Sequence, residues 1–236
     1  MRQAADLVLA PSLGSWNFSD VVHSVALTLD DGPDPEVTPA LIDLLDQMSV
    51  RATFFVLTLR AEDYPQLVDA LVSSGHEIAL HGLDHRRVSQ MNFGQAFEYL
   101  KNARDRLEQV VGRSVTMYRP PYGSQSVSSV RAARRAGLQV VVWDGDAADW
   151  EDRPALDVAA AADQASTPGG ILLFHERLEP DPAHPDPIRG APVTSFDRAE
   201  VLADIIGRVR RRGLEPCAVG DLAAQGRMHS TAWLRP

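Results

Sequence analysis

The sequence predicts an α/β protein, a distorted and incomplete (β/α) barrel of about seven parallel strands. Two observations carry this: seven short apolar runs rich in β-branched or aromatic residues, and a helical segment between most of them. The runs are SVALTL (24–29), ATFFVL (52–57), HEIAL (76–80), SVTMY (114–118), LQVVVW (138–143), GILLF (170–174) and LEPCAV (214–219). Runs of this length bounded by turn residues read as buried strands. The first helix is expected to open with Thr38 as its cap and Pro39 at the first helical position, ahead of Leu41, Leu44 and Leu45. Gly75, Gly112, Gly137 and Gly213 stand where four further helices should stop. Strict alternation favours parallel strands joined by right-handed crossovers, and seven units fall one short of a closed barrel. The competing architecture is an open doubly wound sheet. No G-x-G-x-x-G follows the first strand, so a dinucleotide site has no support.

The bulk numbers fit one domain across residues 1–236, with the informative core at 24–219: apolar residues make up 44% and charged residues 23%. A formal charge of -9 argues against a nucleic-acid partner, which needs clustered Lys and Arg to displace counterions. RVRRRG (208–213) reads instead as cations at the end of a helix. Cys217, the single cysteine, has no internal partner and reads as a small buried residue in a strand. The first sixteen residues lack an apolar stretch of signal-peptide length, and no run of about eighteen apolar residues is present to span a bilayer. The expectation is a cytoplasmic protein as the chain stands, or an extracytoplasmic one if an export segment was removed.

The polar residues that follow the strands are the most informative. Asp30 and Asp31 follow the first, His81 the third, Arg119 the fourth, Asp146 and Asp149 the fifth, and His175 the sixth. In a parallel barrel these C-terminal ends share one face, so residues distant in sequence converge there. Two adjacent acids serve one site only if the chain leaves strand geometry after the first, and Gly32-Pro33 makes that departure plausible. In HGLDH (81–85) the histidines are four apart, a spacing that puts both on one side of a helical turn. Two His and one Asp form a set that holds a divalent metal and leaves a coordination place for water. Asp31 is the carboxylate placed to complete it.

Together, TLDDGP (28–33), HGLDH (81–85), RPPYG (119–123), DAADW (146–150) and LLFH (172–175), in this order, resemble the five motifs of the NodB-type polysaccharide deacetylases, carbohydrate esterase family 4. The resemblance implies a distorted (β/α) barrel and a metal-dependent N-deacetylase of an N-acetylated amino sugar, free, polymeric or lipid-linked. It implies that Asp31, His81 and His85 hold a divalent metal, most often zinc. Asp30 is then the general base, Arg119 orients it, His175 protonates the leaving amine and Asp149 pairs with His175. The Tyr122 backbone N–H shares the oxyanion, and Trp150 and Leu172 shape a pocket for the acetyl methyl. Two positions depart from the pattern: Leu29 replaces a phenylalanine, a packing change, and Gly82 replaces a serine or threonine, removing a hydroxyl near the metal site.

Two rival readings stand beside this one. The first is hydrolysis of another C–N bond, in an imide, an allantoin-like ring or a formamide, with the same apparatus. The second is a sugar-binding module that has lost turnover, which the presence of Asp30, Arg119 and His175 opposes. His23, His76, His184 and His229 match no motif and are expected to be structural or exposed. The segment 177–196 holds five prolines and follows the sixth strand, so it is expected to border the substrate cleft.

Overall fold

The computed structural model describes residues 13–179 and 194–232. Eight strands pair in parallel: β2 (Ser24–Asp30), β3 (Thr53–Val56), β4 (Glu77–Leu80), β5 (Met117–Tyr118), β6 (Gln139–Val140), β7 (Gly145–Asp146), β8 (Ile171–His175) and β9 (Glu215–Cys217). Their spatial order is β6-β5-β4-β3-β2-β8-β7, with β9 paired to β2 through Ser24–Ala26. This is the distorted, open half-barrel that the alternation predicts. All seven expected strands form, and the region after the fifth adds β7, which leaves β6 and pairs with β8 instead. Among the described residues β6 and β7 do not pair, so the barrel stays open between them.

An extra strand crosses that opening. β1 (Ser15–Ser19) pairs antiparallel with β10 (Met228–Thr231), and both are short, polar in part and invisible to a search for apolar runs. The Trp16 carbonyl accepts from Val142 N at 2.7 Å, and Ser19 N donates to Gly169 O at 2.6 Å, so β1 ties the end of β6 to the start of β8. Gly169 has φ +75, and a Cβ there would lie 2.1 Å from the Ser19 carbonyl oxygen. Gly169→Ala is therefore expected to destabilise the fold by about 2–4 kcal/mol in urea unfolding, from combined backbone strain and overpacking.

Helices α1 (Thr38–Gln47), α2 (Thr58–Asp63), α3 (Pro65–Ser73), α4 (Phe93–Val111), α5 (Val127–Arg135), α6 (Ala155–Ala165), α7 (Arg198–Arg211) and α8 (Val219–Gln225) fill the connections. One large apolar layer lies between strands and helices and includes Leu27, Leu29, Phe54, Leu80, Leu100, Leu172, Phe174 and Leu202. A second, smaller layer fills the concave side with Ala26, Phe55, Ala79, Met117, Val141, Ile171 and Cys217. Strand alternation separates the two sets: Leu27 and Leu29 face the helices while Ala26 faces inward.

Helix ends follow the chemistry expected of them with one exception. Gly75, Gly112, Gly137 and Gly213 have φ of 82, 72, 77 and 79, the left-handed backbone that ends helices. Arg208, Arg210 and Arg211 sit in the last turn of α7. Thr38, expected to cap α1, is instead its first residue, and Val37 occupies the cap position. Among the described residues no side chain caps α1; the Asp34 carboxylate holds the preceding turn, accepting from Glu36 N at 2.9 Å and Val37 N at 3.1 Å, while the Thr38 hydroxyl donates to buried Glu176. Cys217 is buried in β9, and burial pushes its thiol up to about 12, which keeps it protonated and inert. No helix among the described residues is long and apolar enough to cross a membrane.

Candidate active site

The C-terminal strand ends collect around a cleft of about 490 Å³ lined by Asp30, Asp31, His81, His85, Tyr122, Trp143, Asp146, Trp150, Leu173 and His175, among others. Asp30 is the last residue of β2 and keeps its register against His175 of β8. Asp31 leaves the strand with φ 72, a left-handed conformation that turns its carboxylate to the same side as that of Asp30. That turn is how two neighbouring acids come to face one cleft.

His81 follows β4, and His85 sits on an irregular segment, not on a helical turn as the four-residue spacing predicts. Gly82, at φ +110, breaks any helical continuation. The segment nevertheless brings the rings together, with centroids 5.3 Å apart. Asp31 Oδ1 lies 3.2 Å from His81 Nε2 and 3.4 Å from His85 Nε2. Ligands at zinc bond lengths of about 2.0–2.1 Å in a tetrahedron stand about 3.3–3.4 Å apart, so these spacings suit one shared cation.

Hydrogen bonding supports the same assignment. His81 Nδ1 lies 2.9 Å from the Arg119 carbonyl, which only accepts, so the proton is on Nδ1 and Nε2 is left with its lone pair toward Asp31. Asp31 Oδ2 accepts from Glu179 N at 3.0 Å, while Oδ1 is buried with no hydrogen-bond partner among the described residues. A buried carboxylate oxygen left in this way beside two imidazoles fits a metal. Burial opposes ionisation of Asp31, but the adjacent His85 and His81 outweigh it and hold the carboxyl well below its usual range. Burial brings His85 down to about 4, which keeps the imidazole neutral and able to ligate near neutral pH.

Arg119 is fully buried and stands on the ring of Phe55, its guanidinium carbon 4.0 Å from the centroid. Its Nη1 donates to Asp30 Oδ1 and to Thr28 Oγ1, both at 2.7 Å, and the Thr28 hydroxyl donates to Leu172 O. Burial lowers the proton affinity of the guanidinium and the Asp30 charge restores part of it. Asp30 is thereby held by one oxygen while its other oxygen lies 3.8 Å from His81 Nε2, beside the three-residue cluster.

On the neighbouring strand, His175 ends β8 and its Nδ1 donates to Asp149 Oδ1 at 2.8 Å, leaving Nε2 for the cleft. Asp149 is fully buried and also accepts from His175 N at 2.9 Å and from Arg198 Nη1 at 2.6 Å. Burial works against a charged His175, yet the Asp149 charge and hydrogen bond dominate and raise it to about 9. Trp150, 42% exposed, meets the His175 ring edge-on at 5.9 Å and forms a wall of the cleft. Tyr122 lies at the opposite edge with φ 60, its ring 4.3 Å from that of His85. Asp146 lines the floor, its carboxyl raised by burial.

One expected cleft residue lies elsewhere. Leu172 packs in the layer between strands and helices, and Leu173 lines the cleft in its place. The reason is the two-residue period of β8: Ile171, Leu173 and His175 face inward, Leu172 and Phe174 outward. That parity was available in the sequence once His175 was placed in the site. Thr28, Trp143, Glu179 and Arg198 also belong to the site or its supports and carried no motif signal beyond the Thr of TLDDGP. Of the unassigned histidines, His23 is exposed, His76 is buried against Phe54, and His229 stacks on Phe18. His184 and most of the proline-rich segment lie outside the described residues, but Leu178 and Glu179 at its start do line the cleft.

A parallel half-barrel carrying an Asp–His–His cluster on its C-terminal rim defines a metal-dependent hydrolase. Residues 20–141 match the polysaccharide deacetylase family, and the chain belongs to it. It is 35% identical over 182 residues to a chitooligosaccharide deacetylase of Azorhizobium caulinodans, covering 76% of this chain and 83% of that protein. It is 33% identical over 162 residues to a peptidoglycan-N-acetylglucosamine deacetylase of Bacillus cereus, covering 69% and 58%. Among solved structures, the peptidoglycan deacetylase PdaC of Bacillus subtilis superposes with a TM-score of 0.72 at 25% identity, covering 86% and 91%. BA3943 of Bacillus anthracis, a CE4 family pseudoenzyme, superposes as well, with a TM-score of 0.73 at 20% identity over 85% and 65%. The fold alone therefore does not separate working members from silent ones; the side chains in the cleft must.

Proposed function

We propose that the chain hydrolyses the N-acetyl group of N-acetylglucosamine units in an oligosaccharide or glycan strand, with zinc held by Asp31, His81 and His85. The observation that carries this reading is the placement of Asp30, fixed by Arg119 at 2.7 Å, beside the three ligand residues and in register with His175 on the neighbouring strand, both lining the cleft. The Azorhizobium caulinodans and Bacillus cereus relatives are deacetylases of chitooligosaccharides and of peptidoglycan N-acetylglucosamine, and amide acyl groups on amino sugars are common to both.

When bound, the ion acidifies water and polarises the amide carbonyl. Asp30 accepts the proton of the attacking water, and Arg119 and Thr28 keep its carboxylate aimed at that position. The water oxygen bonds to the acetyl carbon, and the backbone N–H of Tyr122 contributes a hydrogen bond to the developing oxyanion. His175 delivers a proton from Nε2 to the amide nitrogen as the C–N bond breaks, so that the products are acetate and a free amine. Trp150 and Leu173 form an apolar wall against which the acetyl methyl is placed. Asp30 and His175 line the cleft with the three ligand residues, and Arg119 and Asp149 hold them from behind, which favours an enzyme over a silent sugar-binding module.

The test is acetate release from N-acetylglucosamine oligomers. The metal-loaded protein is expected to release acetate, chelator treatment to abolish release, and added zinc to restore it. Absence of release from every acylated amino sugar tried, with zinc bound, would sink the proposal. Release from formamide, imide or cyclic ureide substrates alone would move the protein to the rival C–N hydrolases.

A further inference from the structure

The two histidine ligands are not supported alike. His81 is oriented by the Arg119 carbonyl on its Nδ1, whereas His85 Nδ1 is buried with no hydrogen-bond partner among the described residues. The position of His85 thus depends on the backbone of the irregular segment that carries it and on the Tyr122 ring against it. That segment lacks the internal ladder of a helix or strand, so its rigidity must come from outside.

The Gly82 and Leu83 carbonyls accept from Thr58 N and Leu59 N at 2.9 and 3.0 Å, and the amide side of the segment is held by one oxygen atom. Tyr99, on α4, projects its hydroxyl onto the backbone that links His81 to His85, where it accepts from Leu83 N and Asp84 N, both at 3.1 Å. Its single proton goes to Asp84, whose Oδ1 lies at 2.8 Å and whose carbonyl oxygen lies at 3.0 Å. The Asp84 carboxylate is engaged in turn by Arg86 Nε and Nη2, at 2.8 and 2.6 Å. The base of this staple is firm: α4 spans Phe93–Val111, opens with a reciprocal Asn92–Gln95 capping box, and buries Ala96, Leu100, Ala103 and Leu107 in the main core. Gly82 completes the fit, because at φ +110 a Cβ would lie 3.0 Å from Asp84 O and 3.3 Å from Tyr99 Oη. The hydroxyl of Tyr99 and a side chain at position 82 compete for the same space.

We propose that Tyr99 is a positioning residue of the metal centre: its hydroxyl fixes the Leu83–Asp84 backbone, holds His85 in ligand geometry and so sets the affinity for the ion. This rests on the assignment of Asp31, His81 and His85 as ligands. Groups that orient metal ligands change affinity about 10–100-fold when removed. Tyr99→Phe keeps the ring in the core and removes only the hydroxyl, so a loss of that size is expected.

The experiment is a competition titration of the metal-free protein with Zn2+ against a chromophoric chelator, without substrate, with Co2+ absorption as a second readout of ligand geometry. Tyr99→Phe is expected to bind Zn2+ about 10–100-fold more weakly and to show an altered Co2+ spectrum. Tyr118→Phe is the control, because it removes another buried hydroxyl, one with no hydrogen-bond partner among the described residues, and it is expected to leave affinity unchanged. If Tyr99→Phe does not fold without metal, Asp84→Asn tests the same staple by weakening the acceptor of its proton, with a smaller loss expected. Wild-type affinity in folded Tyr99→Phe, or equal losses in Tyr99→Phe and Tyr118→Phe, would overturn the proposal while leaving the ligand assignment intact. A wild-type protein that binds neither ion would overturn both.

Discussion

Asp30→Asn is expected to lower acetate release about 10³-fold or more while the protein still binds one zinc ion. A positioned general base contributes about 10²–10⁴ in rate, and the upper half of that range is expected where no second carboxylate holds the same position. Asp30 is suited to the role by what surrounds it. One oxygen is fixed by Arg119 and the other faces the ligand cluster without being part of it, at 3.8 Å from His81 Nε2 against 3.2 Å for the Asp31 oxygen. The amide retains an acceptor for Arg119 but removes the negative charge that compensates a fully buried guanidinium. A lower melting temperature is therefore expected too, since uncoupling a buried ion pair costs about 3–5 kcal/mol when one charge is left alone. Zinc stoichiometry and acetate release measured on the same sample separate loss of base from loss of metal. Turnover within tenfold of wild type would assign the base to another cleft carboxylate, Asp146 or Glu179 being the two within the lining.

Where the sequence was informative, the reason was topological. In a parallel sheet the residue after each strand arrives on the same rim, so Asp30, His81, Arg119 and His175 were legible without any knowledge of packing. The pairing of Asp30 with Asp31 needed one more fact, the left-handed φ of 72 at Asp31, which Gly32-Pro33 only hinted at. The spacing of HGLDH pointed to the two histidines that come together with Asp31, but through a helix that does not form, since a segment stapled by Tyr99 stands there instead. Leu172 and Leu173 show the limit of motif matching: one residue of register moves a side chain from cleft to outer core. Tyr99 and Arg198 were not legible because each reaches the site from a helix whose placement is a product of tertiary packing. β1 and β10 were missed because their stability comes from bridging the barrel opening, not from an apolar run of their own.

Asp149→Asn is expected to shift the alkaline limb of the pH–rate profile downward and to cut turnover at pH 8 by at least about tenfold. In the proposed mechanism His175 carries a proton to release the amine, and in the folded protein it is held charged up to about 9. Burial favours the neutral ring; Asp149 reverses that preference first, followed by Asp31 and Asp30, and Asp146 and His85 also face the same ring. A bound dication offsets the contributions of Asp30 and Asp31, so the hydrogen bond to Asp149 is the part that persists in the loaded enzyme. A histidine falling from about 9 to its ordinary 6.5 drops from about 90% to about 3% protonated at pH 8, and burial without the carboxylate carries it further. Arg198 moderates the pair from behind: its Nη1 binds Asp149 Oδ2 at 2.6 Å and the His175 carbonyl at 2.8 Å, fixing the carboxylate while withdrawing part of its charge. The stability of the fold must follow the same group. Because the folded-state pKa is raised, the stabilisation is complete below about 6.5, the unfolded value, and is lost as pH rises through about 9. In Asp149→Asn the melting temperature should thus lose that alkaline dependence together with the rate. A variant whose alkaline limb stays in place would take the proton-donating role away from His175.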